Sequence, residues 1–481
     1  MRNLLLLLIP LYLCFHLFTL SRFPIPEFEE AAIASAASGI YTKGVDFISQ
    51  DLGVLQSKVI QNSPLIIFAN NFLISNLDNI LFTHRMLGVG FGFILLLLVF
   101  FYFTKLENGS FKNASALLIL ALFFDPIFNK AVHGNGTILI AVFFMLVSLR
   151  NELLNKDYKF YSTLISGFFM AFAMLAYFPI VVFIPFLLLF KAINAISDLL
   201  KHQYVKTYHL LFWPLSIILF YCPWPIYYHI NIFNVLLEVW TPHFFWEIKQ
   251  SVPFVYFILI AGSAMLLIYG LLQKIYEIEY AKNILLFCGI ILTFFFTDPD
   301  WVNNFILVVP FFYLLMFCLL PLNSTTNEAR LGRYIPITIF LGINILFFLV
   351  QALYVFVDFN NRSGTDQKQF IQKMIPADSA VIGDSRSCFN SLENRNLFYP
   401  LKTSVELNER LAATKIRYVI ISEHFESHDK FAQNTLEYRN YQKLGSIHYE
   451  SSDISKYLSG IFISDQAEND LFSATVYRKK R

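Results

Sequence analysis

The chain has 481 residues, of which 56% are hydrophobic, 17% are aromatic and 15% are charged, and its formal net charge is +2. Soluble domains carry about 25% charged residues, so this chain has too few polar side chains to cover a soluble fold of its size. The composition therefore excludes a disordered protein, a DNA-binding module and a cytosolic enzyme. Apolar runs of about 18 residues or more recur along the chain, each long enough to cross a bilayer. They predict a polytopic α-helical membrane protein.

About eleven membrane-spanning helices are predicted. The first apolar run is followed by Ser21-Arg22-Phe23-Pro24, which lacks an Ala-x-Ala cleavage site. It is therefore predicted to be a retained helix rather than a signal peptide. The predicted spans are residues 3–20, 86–104, 114–129, 136–149, 160–176, 178–195, 207–228, 253–273, 283–298, 302–321 and 334–357.

The positions of Lys and Arg predict the orientation of these spans. If the N-terminus lies in the cytoplasm, most Lys and Arg residues between spans fall in inner loops, as the positive-inside rule requires. The chain is therefore expected to be a multi-pass protein of the inner (plasma) membrane with a cytoplasmic N-terminus. An odd number of spans then places everything after residue 357 outside the cytoplasm.

Two domains are predicted. Residues 1–357 form a transmembrane domain, and residues 358–481 have the ordinary composition of a soluble domain. The transmembrane domain includes a long first outer loop, residues 21–85. In this loop the Ala-rich residues 29–40 and the amphipathic residues 54–77 are predicted to be helices that lie along the membrane interface.

The C-terminal domain is predicted to be a small α/β fold. Short apolar runs at 379–383, 416–421 and 472–477 are typical of buried strands. Residues 401–413 are predicted to form a helix between the first two strands. This order indicates a βαβ-like unit.

Two acids open the first outer loop, directly after the first span. Glu29 and Glu30 follow Pro24 and Pro26, which stop the transmembrane helix. They then occupy the first turn of the next helix, where the helix dipole favours negative charge. One interpretation is that they only cap an interfacial helix. The other is that one of them is a general base that accepts a proton from an attacking hydroxyl.

Further short motifs follow this acidic pair along the chain. The set is Glu29-Glu30, Ser63-Pro64-Leu65, His84-Arg85-Met86-Leu87, Ala176-Tyr177-Phe178-Pro179 and Cys222-Pro223-Trp224-Pro225-Ile226-Tyr227. These motifs resemble the GT-C superfamily of membrane glycosyltransferases, and within it the branch that contains the aminoarabinose transferases of lipid A and the protein mannosyltransferases. The soluble segment after the last predicted span also fits this branch, so the resemblance touches nearly the whole chain, although each motif is short.

The resemblance implies roles for individual residues. The catalytic acid of the family falls on Glu29, and Glu30 takes the place of the second acid. The family has another Asp in its second outer loop, where this chain offers Asp125 at the start of the loop rather than its end. The Lys of the family's Lys-Gly-Pro turn is Tyr177 here. These departures indicate a divergent donor or a member that has lost activity.

The implied reaction is transfer of a sugar from a polyprenyl-phosphate donor to a lipid, glycan or protein acceptor on the outer face of the membrane, with inversion at the anomeric carbon. Arg and Lys pair with phosphate, so we expect donor binding at Arg85, Lys58 and Lys130, in that order. The alternative for these three is snorkelling at the membrane interface. Asp125, Tyr177 and Asp298 are the candidates for lining the acceptor site. No cofactor is certain, and a divalent cation is left open.

Three other functions compete with this reading, and none involves nucleic acid. A transporter or flippase of envelope precursors predicts charges inside the mid-chain spans and repeated halves, and the sequence has neither. A catalytically inactive accessory or scaffold protein fits the missing second-loop acid. A lipid-linked oligosaccharide ligase or polymerase is less consistent with the soluble C-terminal domain.

Overall fold

The computed structural model describes a large part of the chain, in separate ranges. The predicted spans at 253–273, 283–298 and 302–321, and the candidate residues Lys58 and Asp298, lie outside them. The described residues are 2–22, 28–43, 63–74, 80–106, 120–134, 136–154, 160–185, 187–189, 191–192, 209–227, 327–401, 407, 411, 416–422, 436, 439–449, 452–454, 457–458 and 472–480.

The chain folds as two compact units. The first contains Met1–Phe15 and Gly88–Leu349, and the second contains His16–Leu87 and Val350–Arg481. The second unit thus combines the predicted first outer loop with the C-terminal segment. The predicted domain boundary at residue 357 stays a prediction.

Before residue 358 the described structure is helical. Long apolar runs form helices because a helix pairs its own backbone N–H and C=O groups, which an apolar environment requires. They are α1 (Arg2–Thr19), α2 (Phe28–Lys43), α3 (Pro64–Ile74), α4 (Ile80–Leu106), α5 (Pro126–His133), α6 (Gly136–Leu154), α7 (Phe160–Ala176), α8 (His209–Tyr221), α9 (Pro223–Tyr227) and α10 (Asn327–Val357). A short 3-10 helix, Phe178–Phe183, follows α7.

Only part of the predicted span pattern is confirmed. Among the described residues, one helical stretch is long and apolar enough to cross a membrane by itself, Ile80–Leu98. Its helix begins six residues before the predicted span 86–104. Helix α7 coincides with the predicted span 160–176. The other apolar helical stretches are shorter: Pro10–Thr19, Pro64–Ile74, Gly136–Ser148, Leu210–Ile226 and Leu341–Val357.

In the first unit, small residues and a polar chain hold α6, α7 and α8 together. Trp213 on α8 donates its indole N–H to Ser166 Oγ on α7 at 3.0 Å, and Ser166 Oγ also lies 3.0 Å from Ser148 Oγ on α6. At Gly167 an added Cβ would lie 2.6 Å from the Cβ of Ser216. Small residues let helix backbones approach closely where no hydrophobic effect drives association.

The described residues of the C-terminal segment contain a five-stranded sheet and the two helices that flank its first strand in sequence. Its elements are α11 (Thr365–Met374), β1 (Ala380–Asp384), α12 (Ser385–Glu393), β2 (Leu397–Leu401), β3 (Tyr418–Ile421), β4 (Tyr441–Ile447) and β5 (Ala474–Lys479). The strand order is β2-β1-β3-β5-β4. Strand β1 pairs in parallel with both β2 and β3, and β5 runs antiparallel to β3 and β4.

The predicted α/β character of this segment is confirmed, with a correction to its connections. Strands β1, β3 and β5 match the predicted strands. The sequence missed α12, which follows β1 directly and leads to β2. The predicted helix 401–413 starts too early, because Leu401 is the last residue of β2, but its described residues Leu407 and Leu411 are helical. Most of 402–415 lies outside the described residues, but Leu407 and Leu411 are buried in the sheet's hydrophobic core.

Helix α2 packs against this sheet domain within the second unit. Its Ala31 and Ala34 share a hydrophobic core with Phe389 of α12 and Phe398 of β2. Ser35 Oγ lies 3.3 Å from Cys388 Sγ on α12, and the thiol also contacts the Ala31 carbonyl at 3.5 Å. Burial raises the pKa of this thiol well above its usual range. Small side chains on α2 are what permit this close approach.

One prediction concerns Gly88 on α4, where an added Cβ would lie 2.6 Å from the carbonyl oxygen of Val132 on α5. Backbone cannot move as a side-chain end can, so we expect G88A to lower the free energy of unfolding by about 2 kcal/mol. Unfolding of the full chain in detergent measures it. Gly90, two residues along the same helix, has nothing within 4 Å of an added Cβ. The G90A control should be neutral or slightly stabilising, and an equal loss in both variants would contradict the packing.

Candidate functional site: a buried acid–base pair

The centre of the candidate site is an ion pair between Glu30 and Arg85. Arg85 Nε donates to Glu30 Oε1 at 2.6 Å, and Arg85 Nη2 donates to Glu30 Oε2 at 2.9 Å. The exposed fractions of the two residues are 5% for Glu30 and 1% for Arg85. A bidentate guanidinium–carboxylate pair is the strongest and most directional of protein ion pairs. Here it joins the start of α2 to α4 across 55 residues of sequence.

Helix ends stabilise both charges of the pair. Glu30 lies in the first turn of α2, where the partial positive charge of the helix end favours a carboxylate. Arg85 Nη1 donates at 2.9 Å to the carbonyl of Leu20, just after the end of α1. Carbonyl groups at a helix C-terminus favour a cation. The pair therefore fixes three chain segments at one point.

His84, the residue before Arg85, is also buried against this pair. Its Nδ1 lies 2.9 Å from Asn70 Oδ1 on α3, and its Nε2 lies 3.9 Å from Glu30 Oε1. The ring of Phe389 on α12 lies 5.8 Å from the imidazole ring, centroid to centroid. Asn70 in turn donates to the Ile66 carbonyl at 3.0 Å. Segments from α2, α3, α4 and the sheet domain thus meet around Glu30.

The structure brings some of the sequence-predicted residues together. Glu30 and Arg85 are in direct contact, and Glu29, which is half-buried, precedes Glu30 in the same helical turn. Asp125, Lys130 and Tyr177 belong to the other compact unit. Lys130 and Tyr177 are half-buried there, and Tyr177 has extended backbone between α7 and the 3-10 helix.

Asp125 has a helix-capping contact in this structure. It is fully buried, and its Oδ1 accepts the backbone N–H of Phe128 at 2.9 Å. It therefore caps the N-terminus of α5, whose first residue is Pro126. An Asp before a Pro at the first helical position is a common sequence signal for a helix start. Asn129, on α5, is held by a contact with α1, because its Oδ1 accepts a hydrogen bond from the Tyr12 hydroxyl at 2.9 Å.

Sequence reasoning missed Asn70 and gave His84 little weight. Histidine in isolation is a weak signal, because it serves in many polar contacts. An available signal was its position next to Arg85 at the start of an apolar helix, since ionisable groups in such helices are rare and mark functional sites. Among the residues that the structure describes, no group of three or more His, Cys, Asp or Glu side chains could hold a metal ion.

Comparison with solved structures gives the fold of the whole chain. The crystal structure of ArnT from Cupriavidus metallidurans bound to undecaprenyl phosphate matches with a TM-score of 0.59 and 12% sequence identity, over 99% of this chain and 98% of that chain. In fold, the chain is similar to ArnT. The apo state of the same protein gives a TM-score of 0.55 at the same identity and coverage. No protein-family model and no curated protein matches the sequence.

The likeness confirms the fold that the sequence resemblance predicted. This chain follows the fold of ArnT over 99% of its length. The identity of 12% supports the fold class without distinguishing a branch. The number of membrane spans, the orientation of the termini and the roles of single residues stay predictions.

A double-mutant cycle tests the buried pair. We expect E30Q and R85M each to lower the free energy of unfolding by about 3–5 kcal/mol, because each leaves an uncompensated buried charge. The E30Q/R85M double variant should lose much less than the sum of the two. Chemical unfolding in detergent measures all three. E29Q, at the half-buried neighbouring position, is the matched control and should change stability by less than about 1 kcal/mol. Additive losses would show that the pair does not form.

Proposed function

We propose that this chain is a membrane glycosyltransferase that uses a polyprenyl-phosphate-linked sugar as donor. The observation that carries the proposal is the GT-C fold shared with ArnT over 99% of the chain. That ArnT structure holds undecaprenyl phosphate, which supports a donor of the same lipid class here. The acceptor is a lipid, glycan or protein on the outer face of the inner membrane.

The proposed reaction is a single displacement at the anomeric carbon. An acceptor hydroxyl loses its proton to a carboxylate, and its oxygen forms the new bond to the anomeric carbon. The bond from that carbon to the phosphate oxygen breaks, and the electron pair leaves with the phosphate, which inverts the anomeric centre. Phosphate is a good leaving group, so the protein mainly supplies a base, orientation and charge stabilisation.

Glu29 is the proposed base, and Glu30 is the proposed support. Glu30 is bound on both oxygens by Arg85, and a carboxylate held in this way is a poor proton acceptor. Glu29 lies beside it in the same first turn and is more exposed. This contrast favours Glu29 as the residue that takes the proton. Glu30 and Arg85 then fix the start of α2, and with it the position of Glu29.

The pairing also bears on donor binding. Arg85 would have to release Glu30 to bind a phosphate in bidentate fashion, which favours a positioning role for this residue. The donor phosphate is then proposed to bind Lys58 and Lys130. Asp125, Tyr177 and Asp298 remain the proposed acceptor-lining residues. Asp125 is proposed to act through helix α5, because its carboxylate caps the start of that helix.

An inactive accessory protein is the second candidate function. The observation that favours it is that Glu30, Arg85 and Asp125 all make contacts that stabilise the fold. A scaffold that has kept the GT-C fold would retain such contacts after losing its chemistry. The next experiment distinguishes the two functions.

We expect E29Q to lower sugar transfer by at least about 100-fold, because glutamine cannot accept the proton. The assay supplies polyprenyl-phosphate-linked sugars to membranes that contain the chain and measures sugar in the lipid, glycan and protein fractions. E29D keeps the carboxylate and should retain part of the activity. Equal expression and thermal stability of the variants are the control. Full activity in E29Q would remove Glu29 from the mechanism, and no transfer by the natural sequence would favour the accessory protein.

The proposed orientation has a separate test. A reporter active only outside the cytoplasm, fused after residue 357, should be active, because an odd number of spans places this point outside. A reporter active only in the cytoplasm should be silent at the same position. Fusions after Arg150, in a predicted inner loop, should show the reverse pattern and serve as the control. Inverted activities at both positions would contradict the orientation.

A further inference from the structure

His84 is a buried histidine for which the proposed mechanism has no use. Its exposed fraction is 6%, and Asn70 fixes the orientation of its ring. The side-chain nitrogen of Asn70 donates to the Ile66 carbonyl, so the oxygen of Asn70 faces the imidazole. That oxygen can only accept, so Nδ1 of His84 carries the hydrogen. In the neutral ring Nε2 is then a hydrogen-bond acceptor with a free lone pair.

This acceptor has no hydrogen-bond partner among the residues that the structure describes. It lies 3.9 Å from Glu30 Oε1, which is too far for a hydrogen bond. The adjacent guanidinium of Arg85 disfavours a second positive charge on the imidazole ring. Two acceptors therefore face each other at this distance without a hydrogen between them. A ligand that brings a donor gains a hydrogen bond here without displacing a protein partner, so the arrangement is suited to such a ligand.

The charges around Nε2 indicate the class of that ligand. Glu30 and Arg85 neutralise each other through two hydrogen bonds, so the pair gives no net attraction for a cation. A neutral O–H group matches such a place better than an ammonium group does. The ring of Phe389 lies 5.8 Å from the imidazole ring and is tilted by 45° to it, so it adds apolar surface beside His84. An alcohol group at Nε2 would therefore donate to the imidazole and lie near the neutral Glu30–Arg85 pair and the ring of Phe389.

We propose that His84 binds the acceptor substrate, with Nε2 accepting a hydrogen bond from the hydroxyl group that receives the sugar. This inference rests on the proposed glycosyltransferase function and adds the residue that binds the acceptor hydroxyl of that reaction. Asn70 is the positioning residue, because it holds the ring in the tautomer that leaves Nε2 free. Before transfer the hydroxyl turns its O–H bond from Nε2 to the carboxylate of Glu29, which takes the proton while the oxygen bonds to the anomeric carbon.

The test compares two substitutions at His84 with octyl glucoside as the acceptor probe and octylamine as its amine counterpart. H84Q can place an amide oxygen near the position of Nε2, so its KM for octyl glucoside should stay within about threefold of the natural sequence. H84F keeps the ring shape but has no acceptor. Its KM for octyl glucoside should rise about tenfold, the size of one hydrogen bond, while the KM for the donor is unchanged. Octylamine should be a poor acceptor for all variants.

Two further variants complete the design. N70L removes the group that fixes the ring, so it should raise the same KM in the same direction. H448F changes an exposed histidine beside Ser446 and should leave both KM values unchanged. Thermal unfolding shows whether H84F is folded, and if it is not, N70L decides.

The outcomes separate this inference from the proposed function. Absence of any transfer in native membranes contradicts both. If sugar is transferred in membranes but H84F leaves the KM for octyl glucoside unchanged, only the role of His84 is contradicted. Where H84F is unfolded, an unchanged KM in N70L has the same meaning. So does a natural sequence that uses octylamine in preference to octyl glucoside, or that transfers sugar in membranes but not to octyl glucoside.

Discussion

The buried pair of Glu30 and Arg85 is the constraint on which the candidate site depends. Moving two charges out of water costs several kcal/mol for each ion, and only good geometry with further hydrogen bonds offsets this cost. The chain provides both, with a bidentate contact and a third bond from Arg85 to the Leu20 carbonyl. Because the pair and its further bond join the end of α1, the start of α2 and Arg85 of α4, it determines how these three segments meet. The position of Glu29 follows from it.

Helix α2 links the buried pair to the sheet domain, because it bears Glu30 and packs against that domain. Its small side chains, from Ala31 to Ala37, are almost completely buried. They pack against α12 and β2 on one side, and Asn71 of α3 donates to the Ala37 carbonyl at 2.8 Å on another. A helix confined on several faces has little freedom to shift, which is what a proton acceptor in its first turn requires. Arg22, which follows α1, makes a further contact with the C-terminal segment, because it donates to the Phe359 carbonyl at 2.7 Å.

The sequence predicted the helical membrane class, the α/β character of the C-terminal segment and the acids at the start of α2. These features rest on local patterns: long apolar runs, alternating strands and charges at helix ends. It did not predict that Arg85 binds Glu30, because pairing across 55 residues depends on how α2 and α4 pack. It did not predict α12, the helix between β1 and β2, because an amphipathic stretch of nine residues is a weak local signal. Asp125 was read as a substrate residue, although Asp125-Pro126 also carries the local signal of a helix cap.

The core shared by α2 and α12 has a consequence for the synthesis of the protein. Ser35 and Cys388 are 353 residues apart in the chain and in contact in the fold. At about 5–20 residues per second, the ribosome needs roughly 20 to 70 seconds to make the second partner after the first. During that time α2, although made early, has no sheet domain to bury its alanine face. Helix α2 is therefore among the first segments to be made and among the last to reach its final position. Premature release of the chain would leave its alanine face without the sheet domain.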